Sequence, residues 1–189
     1  ELVAGADASL TVDGVPVMRR CTAGGCVLQG PGSFNFSLAL RYDDYPETRD
    51  LHESYCYLLR RISRALAPLG ISAAHEGICD LAVNGRKISG NAQRRKRGAC
   101  LHHGTLLYRA DTAAMARYLK EPADRPDYRG ARAHTAFVGE IAATPAQLRE
   151  VLCREFDADT PHPATAEETA LTRKLVEEKY RMMAWIRRR

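Results

Sequence analysis

Three segments of this chain carry residue types and spacings that can do chemistry. The first is Arg19-Arg20-Cys21-Thr22-Ala23-Gly24-Gly25-Cys26, closed by Gly30-Pro31-Gly32. Consecutive backbone N–H groups in such a loop can cradle an anion, and glycines let the backbone approach it closely. Two arginines add planar donors suited to carboxylate or phosphate. Read alone, the same segment favours a plain glycine-rich turn. The second is Asn84 to Gln93, NGRKISGNAQ. Strand alternation predicts Lys87, Ser89, Asn91 and Gln93 on one face, with Ile88, Gly90 and Ala92 on the other. The polar row is either a wet sheet face or a cleft wall whose lysine binds a negative group. The third is Cys100 to Leu107, CLHHGTLL. Adjacent histidines on a strand point to opposite faces, so His102 and His103 are not expected to chelate one metal together. Asp80, just before the second segment, has the carboxylate that Mg²⁺ prefers.

The elements that must position these groups are legible from periodicity. Val15 to Arg20 reads as a short strand and Phe34 to Leu40 as a second. Leu51, Tyr55, Leu58, Leu59, Ile62 and Leu66 recur at helical spacing over roughly Asp50 to Leu69, and Pro68 and Gly70 stop the helix. Leu81–Val83, the turn Asn84-Gly85, and Lys87–Gln93 predict a β-hairpin with a two-residue type I′ turn. Leu101 to Tyr108 is another strand. Asp111 caps a short helix to about Tyr118, and Thr144 caps Pro145 to Phe156. Thr165 and Glu168 form a capping box for a last helix carrying Leu171, Leu175, Val176 and Tyr180. Glu121 to His134 is polar and proline-containing, a surface loop. Strands come first and helices later, which predicts an α+β fold with a largely antiparallel sheet.

Composition narrows the function classes. The chain has 189 residues, 45% hydrophobic and 27% charged, with six cysteines and a formal net charge of +5. This suits one globular domain with a core of its own. No apolar run approaches the roughly 20 residues that span a bilayer. No signal-peptide pattern opens the sequence. The cysteines at 21, 26, 56, 79, 100 and 153 form no CxxC pair and fit no zinc template. They read as reduced thiols of a cytoplasmic protein. The basic charge is concentrated in Arg94 to Arg97 and Arg187 to Arg189. Such runs attract nucleic acid, nucleotide or acidic protein, or simply stay solvated.

Taken together and in this order, the three segments resemble the lipoate–protein ligase A family, within the wider group of lipoate and biotin ligases and octanoyltransferases. RRCTAGGCVLQGPGSFNFS (19 to 37) looks like the family's arginine-plus-glycine loop. CDLAVNGRKISGNAQRR (79 to 95) looks like its NDLxVNGRKISGSAQR segment, and LHHGTLLY (101 to 108) like its HHGTLL strand. PDYRGARAH (126 to 134) and EKYRMMAW (178 to 185) also follow family patterns. The resemblance spans roughly Val15 to Trp185. Ala23 stands where the first loop glycine is usual, and Cys79 where asparagine usually precedes the aspartate.

The resemblance implies a mixed, largely antiparallel sheet flanked by helices, like the catalytic cores of class II aminoacyl-tRNA synthetases and biotin ligases. It implies a single catalytic domain over 1–189, lacking the N-terminal part of the family fold and without a C-terminal accessory domain. The implied reaction joins lipoate and ATP, with Mg²⁺, into lipoyl-adenylate. The acyl group then passes to a lysine of an acceptor lipoyl domain, of the 2-oxoacid dehydrogenase E2 or glycine cleavage H protein type. Lys87 matches the motif lysine that contacts the acyl-adenylate, and Asp80 the aspartate linked to Mg²⁺ and phosphate. Arg20, Thr22, Gly24 and Gly25 match the ligand loop, and His103 and Gly104 the strand beside the acyl chain. Asn35, Ser89 and Gly90 complete the candidate contacts. Neither a membrane nor nucleic acid is expected as partner. Rival readings are an octanoyltransferase of the same fold, for which Cys79 and Cys100 are the candidate nucleophiles, and a non-catalytic lipoate-binding relic.

Overall fold

A computed structural model describes residues 11–120 and 125–188. Asp50 begins the central helix, accepting a hydrogen bond from the Glu53 N–H at 2.9 Å, as an N-cap carboxylate does. Helix α1 runs Leu51–Leu66. Its apolar stripe buries Tyr55, Leu58, Leu59, Ile62 and Leu66. Leu51, the first helical residue, is instead 51% exposed. A 3₁₀ turn, Ala67–Leu69, follows and ends on Gly70 at φ 75°, a left-handed conformation that glycine takes without strain.

The sheet has five strands: β3 (Ser33–Arg41), β4 (Ala74–Glu76), β5 (Asp80–Val83), β6 (Arg86–Arg95) and β7 (Ala99–Leu107). Their order is β3-β7-β6-β5-β4, and every pairing within it is antiparallel. One parallel bridge joins Lys87 to Val138. Asn84 and Gly85 take φ 50° and 71°, as a type I′ turn requires. Two short strands, β1 (Thr11–Val12) and β2 (Val15–Pro16), form a separate ribbon. The strand expected to continue to Arg20 stops at Pro16, which has no N–H to offer a ladder.

One face of the sheet packs on α1 and α4 (Pro145–Glu155). Leu81, Ile88 and Leu106 meet Tyr55, Leu59, Ile62, Leu148 and Leu152 there. Arg61 ties the two helices, its Nε 2.8 Å from Glu155 Oε1, with its guanidinium 4.4 Å over the Phe156 ring. The other face is covered only in part. At one end Leu107 packs on Phe137, Val138 and Tyr128, brought by α3 (His134–Phe137) and a 3₁₀ turn, Asp127–Arg129. The expected loop Glu121–His134 therefore contains structure from Asp127 onward, while residues 121–124 lie outside the described residues. Helix α2 (Thr112–Tyr118) is capped by Asp111. Helix α5 (Ala166–Leu175) starts on the Thr165–Glu168 capping box, continues as a wide turn over Val176–Tyr180 and leads to α6 (Met183–Ile186). Leu171 and Leu175 on α5 are exposed, so its apolar stripe does not enter the core.

Candidate active site

Register decides which residues reach the open face. Leu81 pairs with Ser89, yet Ala82 pairs with Lys87, so β6 holds one extra residue, Ile88. This β-bulge puts Ile88 and Ser89 on the same side, both against the helices and almost fully buried, and breaks simple alternation. Asp80 pairs with Gly90 and Ala82 with Lys87. Residues opposite each other share a face, so Lys87, Asp80 and Gly90 lie together on the open side. The expectation that Lys87 shares a polar wall with Ser89, Asn91 and Gln93 is corrected by this bulge. Alternation assumes an unbroken ladder, and here the ladder slips by one.

The polar row itself is an internal network. Ser89, Asn91, Gln93 and His102 are all buried on the helix side. Asn91 Nδ2 donates to the Cys79 carbonyl at 2.9 Å and to Ser89 Oγ at 3.2 Å. Gln93 Nε2 donates to Ser54 Oγ at 2.8 Å and lies 3.2 Å from His102 Nδ1. His102 Nε2 lies 3.3 Å from Asn91 Oδ1. Gln93 Oε1 accepts from Arg95 Nη1 at 2.9 Å. The network is satisfied when His102 is neutral with its proton on Nε2, the arrangement that lets Nδ1 accept from Gln93. Burial beside Phe36 and Tyr55 pushes the His102 pKa down from 6.5 to about 3.

Gly104 belongs to this packed side too. A Cβ there would stand 2.0 Å from Asn91 Oδ1 and 2.7 Å from Phe36 Cζ. Its glycine is required by packing inside the domain. The structure thus brings neither Ser89 nor Gly104 to the open face.

The open face carries a tight ionic group. Lys87 Nζ sits 2.7 Å from Asp80 Oδ1, and Tyr128 donates its hydroxyl proton to Asp80 Oδ2 at 2.8 Å. Asp80 is 5% exposed. Burial, with the adjacent Asp80 charge, drives the Tyr128 pKa far above its ordinary value, so the phenol stays a donor. Gly90 makes room for the lysine, since a Cβ there would meet Lys87 Cε and Nζ at 3.1 Å. Tyr128 is held in turn by Arg132, which donates to the Tyr128 carbonyl and, at 2.9 Å, to the Gly85 carbonyl. Tyr128 escapes sequence reasoning because it lies 48 residues from Asp80 in a segment that reads as loop. The PDYRGARAH pattern was its one signal.

Along the same face, Gly90 pairs with Thr105 and Ala92 with His103. The segment Cys21–Gly32 lies over these positions. Arg20 Nε donates to Thr22 Oγ1 at 2.9 Å, and Thr22 Oγ1 lies 2.7 Å from His103 Nε2. Thr22 accepts from the guanidinium and has its own proton available for an unprotonated imidazole Nε2. Burial and the Arg20 charge both lower the His103 pKa. Arg20 Nη2 also donates to the Ala23 carbonyl at 2.8 Å. Gly24 takes φ 101° and a Cβ there would press on Arg20 Nη2 at 2.8 Å, so Gly24 keeps the arginine's place. Gly25 is exposed in the same loop. Asn35, exposed on β3, accepts from Thr105 Oγ1 at 2.8 Å, and Gln29 Nε2 donates to Thr105 Oγ1 at 3.0 Å. Arg20, Thr22, Gly24, Gly25, Asn35, Asp80, Lys87, Gly90 and His103 therefore share one face.

This face offers a lysine, an arginine and loop N–H groups to an anion. Among the described residues no cluster of three or more His, Cys, Asp or Glu could hold a metal ion. The donor set fits Mg²⁺ only as one carboxylate, Asp80, completed by substrate phosphates and water, a habit common for this ion. The cysteines are all unpaired. Burial raises the Cys79 pKa, and neighbouring Asp80 raises it further. Cys100 is 2% exposed, packed with Leu40, Tyr42 and Leu58. Cys79 lacks the lowered pKa of a nucleophilic thiolate, and Cys100 lacks its access.

The model of the lipoyl protein ligase A/B catalytic domain family matches residues 5–158. Lipoate-protein ligase LplJ of Bacillus subtilis (strain 168) is 32% identical over 130 residues, covering 69% of this chain and 38% of that protein. One similar solved structure comes from an archaeal lipoylation system, a bi-partite lipoate protein ligase and its E2 lipoyl domain from Thermoplasma acidophilum. It matches with TM-score 0.79 and 26% identity over 93% of this chain and 71% of the other. A lipoate-protein ligase A bound with ATP matches with TM-score 0.76 and 25% identity, over 93% and 73% of the two chains. The chain spans between 38% and 53% of the length of the curated relatives it matches. Agreement with the family model over residues 5–158, joined by the fold shared with solved lipoate ligases, places this chain in the lipoyl protein ligase A/B catalytic domain family.

Proposed function

We propose that this chain forms the catalytic part of a lipoate–protein ligase. In the first step the lipoate carboxylate attacks the α-phosphorus of ATP, the bond to the bridging oxygen breaks, and pyrophosphate leaves. In the second, a deprotonated lysine amine of an acceptor lipoyl domain attacks the adenylate carbonyl, forming an amide and releasing AMP. The acceptor is of the 2-oxoacid dehydrogenase E2 or glycine cleavage H type. The observation that carries the reading is the Lys87–Asp80–Tyr128 group on the face shared with the Arg20 loop. The adenylate is a mixed anhydride with a negative charge on its phosphate oxygens, and fixed cations on a partly covered face stabilise it.

Lys87 exchanges its Asp80 partner for the adenylate phosphate and carbonyl oxygens. Asp80, kept in place by Tyr128, would hold Mg²⁺ together with nucleotide phosphates, and the ion would neutralise charge on the leaving pyrophosphate. Arg20 and the loop to Gly25 bound the other side, with neutral His103 beneath. The similarity to LplJ and to an ATP-bound ligase supports both substrates. Six unpaired cysteines support a reducing, cytoplasmic setting. The octanoyltransferase reading needs a cysteine nucleophile, and the surroundings of Cys79 and Cys100 weigh against it. A lipoate-binding relic would bind without turnover. The test is exchange of labelled pyrophosphate into ATP. Exchange that depends on lipoate supports the ligase, and its absence from the full-length protein rejects it.

A further inference from the structure

Two basic runs of the sequence are not used by the chemistry above, and the fold brings them together. The β6–β7 turn carries Lys96 and Arg97, both exposed. It is tied to the ligand loop by Arg94, whose Nη1 donates to the Cys21 carbonyl at 3.0 Å. The C-terminal segment reaches the same loop from another side. Trp185 Nε1 donates to the Arg19 carbonyl at 2.9 Å, and Arg19 Nε donates to the Ile186 carbonyl at 3.2 Å. Arg181 and Arg188 on that segment are exposed as well. Three stretches distant in sequence thus make one basic rim beside the Arg20–Gly25 loop. Among the described residues, Lys96, Arg97 and Arg181 have no ion-pair partner.

We propose that this rim is the docking surface for an acidic face of the protein that accepts the acyl group. The inference rests on the ligase reading. An acceptor lysine approaches as a cation, toward a site that already holds Arg20 and Lys87. That approach is repulsive unless carboxylates around the lysine meet positive charge on the enzyme, which a basic rim at the loop supplies. The rim is poorly built for single-stranded nucleic acid, which needs free aromatic platforms. Trp185 and Tyr180 are spent on each other, edge to face at 5.7 Å, with Lys179 Nζ 4.2 Å over the indole.

The test replaces Lys96→Glu and Arg97→Glu together in the full-length protein. Lipoate-dependent pyrophosphate exchange is measured first, then lipoyl transfer to a 2-oxoacid dehydrogenase E2 lipoyl domain, then binding of a fluorescent 20-mer oligonucleotide. Exchange should stay within about twofold, while kcat/KM for the acceptor falls about tenfold or more at low salt, and the deficit should narrow as ionic strength rises. Undiminished transfer, a deficit indifferent to salt, or a loss confined to oligonucleotide binding would each overturn the proposal. Absence of exchange in the unsubstituted protein contradicts the ligase reading itself, whereas normal exchange with normal transfer contradicts the docking surface alone.

Discussion

Acid should destabilise this domain through His102. The ring is fully buried between Phe36 and Tyr55, its two nitrogens committed to Gln93 and Asn91. Its folded pKa of about 3 lies below the ordinary 6.5. Above pH 6.5 the group is neutral in both states and costs nothing. As pH falls through 6.5 the unfolded chain binds a proton that the folded chain refuses, so stability drops until pH reaches the folded value. Each pH unit in that window is worth about 1.4 kcal/mol, which gives a loss of about 2 kcal/mol between pH 7 and pH 5. The paired carboxylate Glu155 has a lowered pKa and titrates below this range. His102→Gln keeps a donor and an acceptor without a titrating ring. It should cost about 1–3 kcal/mol at pH 7 through imperfect pairing, while losing about 2 kcal/mol less than the native protein on going to pH 5. Urea unfolding followed by circular dichroism at pH 5, 6 and 7 measures both. Parallel stability curves for the two proteins would refute the argument.

Three further substitutions probe the faces of the sheet. Gly104→Ala drives a methyl into Asn91 Oδ1 and the Phe36 ring, and should cost about 3 kcal/mol in urea titrations through overpacking and a broken buried hydrogen bond. A loss under 1 kcal/mol would show that the network yields easily. Gly90→Ala puts a Cβ 3.1 Å from Lys87 Cε and Nζ. It should lower pyrophosphate exchange about tenfold, as misplacement of a charged group does, with the urea midpoint little changed; unaltered exchange counts against Lys87 acting from this face. Tyr128→Phe removes one hydrogen bond to a carboxylate, worth about 1.5–3 kcal/mol. It should raise the KM for ATP more than it lowers kcat, and equal kinetics would leave Tyr128 a purely structural role.

Much of the fold was legible because its signals are local. Asp50, Thr144 and Thr165 each accept from the N–H three residues on, and capping needs no tertiary information. The Asn84-Gly85 turn and the long strands on either side were equally local. What the sequence hid depends on pairing. A three-residue edge strand such as Ala74–Glu76 is too short to show alternation. The four residues of α3 are too few for helical periodicity. The bulge at Ile88 is set by the register of β5 against β6, which no single strand displays. Because of it, reading the site by alternation sorted Lys87 with Ser89, whereas the fold sorts Lys87 with Asp80 and Gly90. Tyr128 was hidden for a related reason, since only the fold brings its segment back over β5.

The central claim is that acyl-adenylate forms on the open face defined by Lys87, Asp80 and Gly90, and that Ser89, two residues from Lys87, lies behind it. Lipoate-dependent pyrophosphate exchange by Lys87→Ala and Ser89→Ala, each checked for folding by circular dichroism, tests this most directly. Exchange should be abolished in Lys87→Ala with the fold intact, and Ser89→Ala should keep the native KM for lipoate and ATP. Turnover retained in Lys87→Ala, or substrate KM values raised in a folded Ser89→Ala protein, would contradict it.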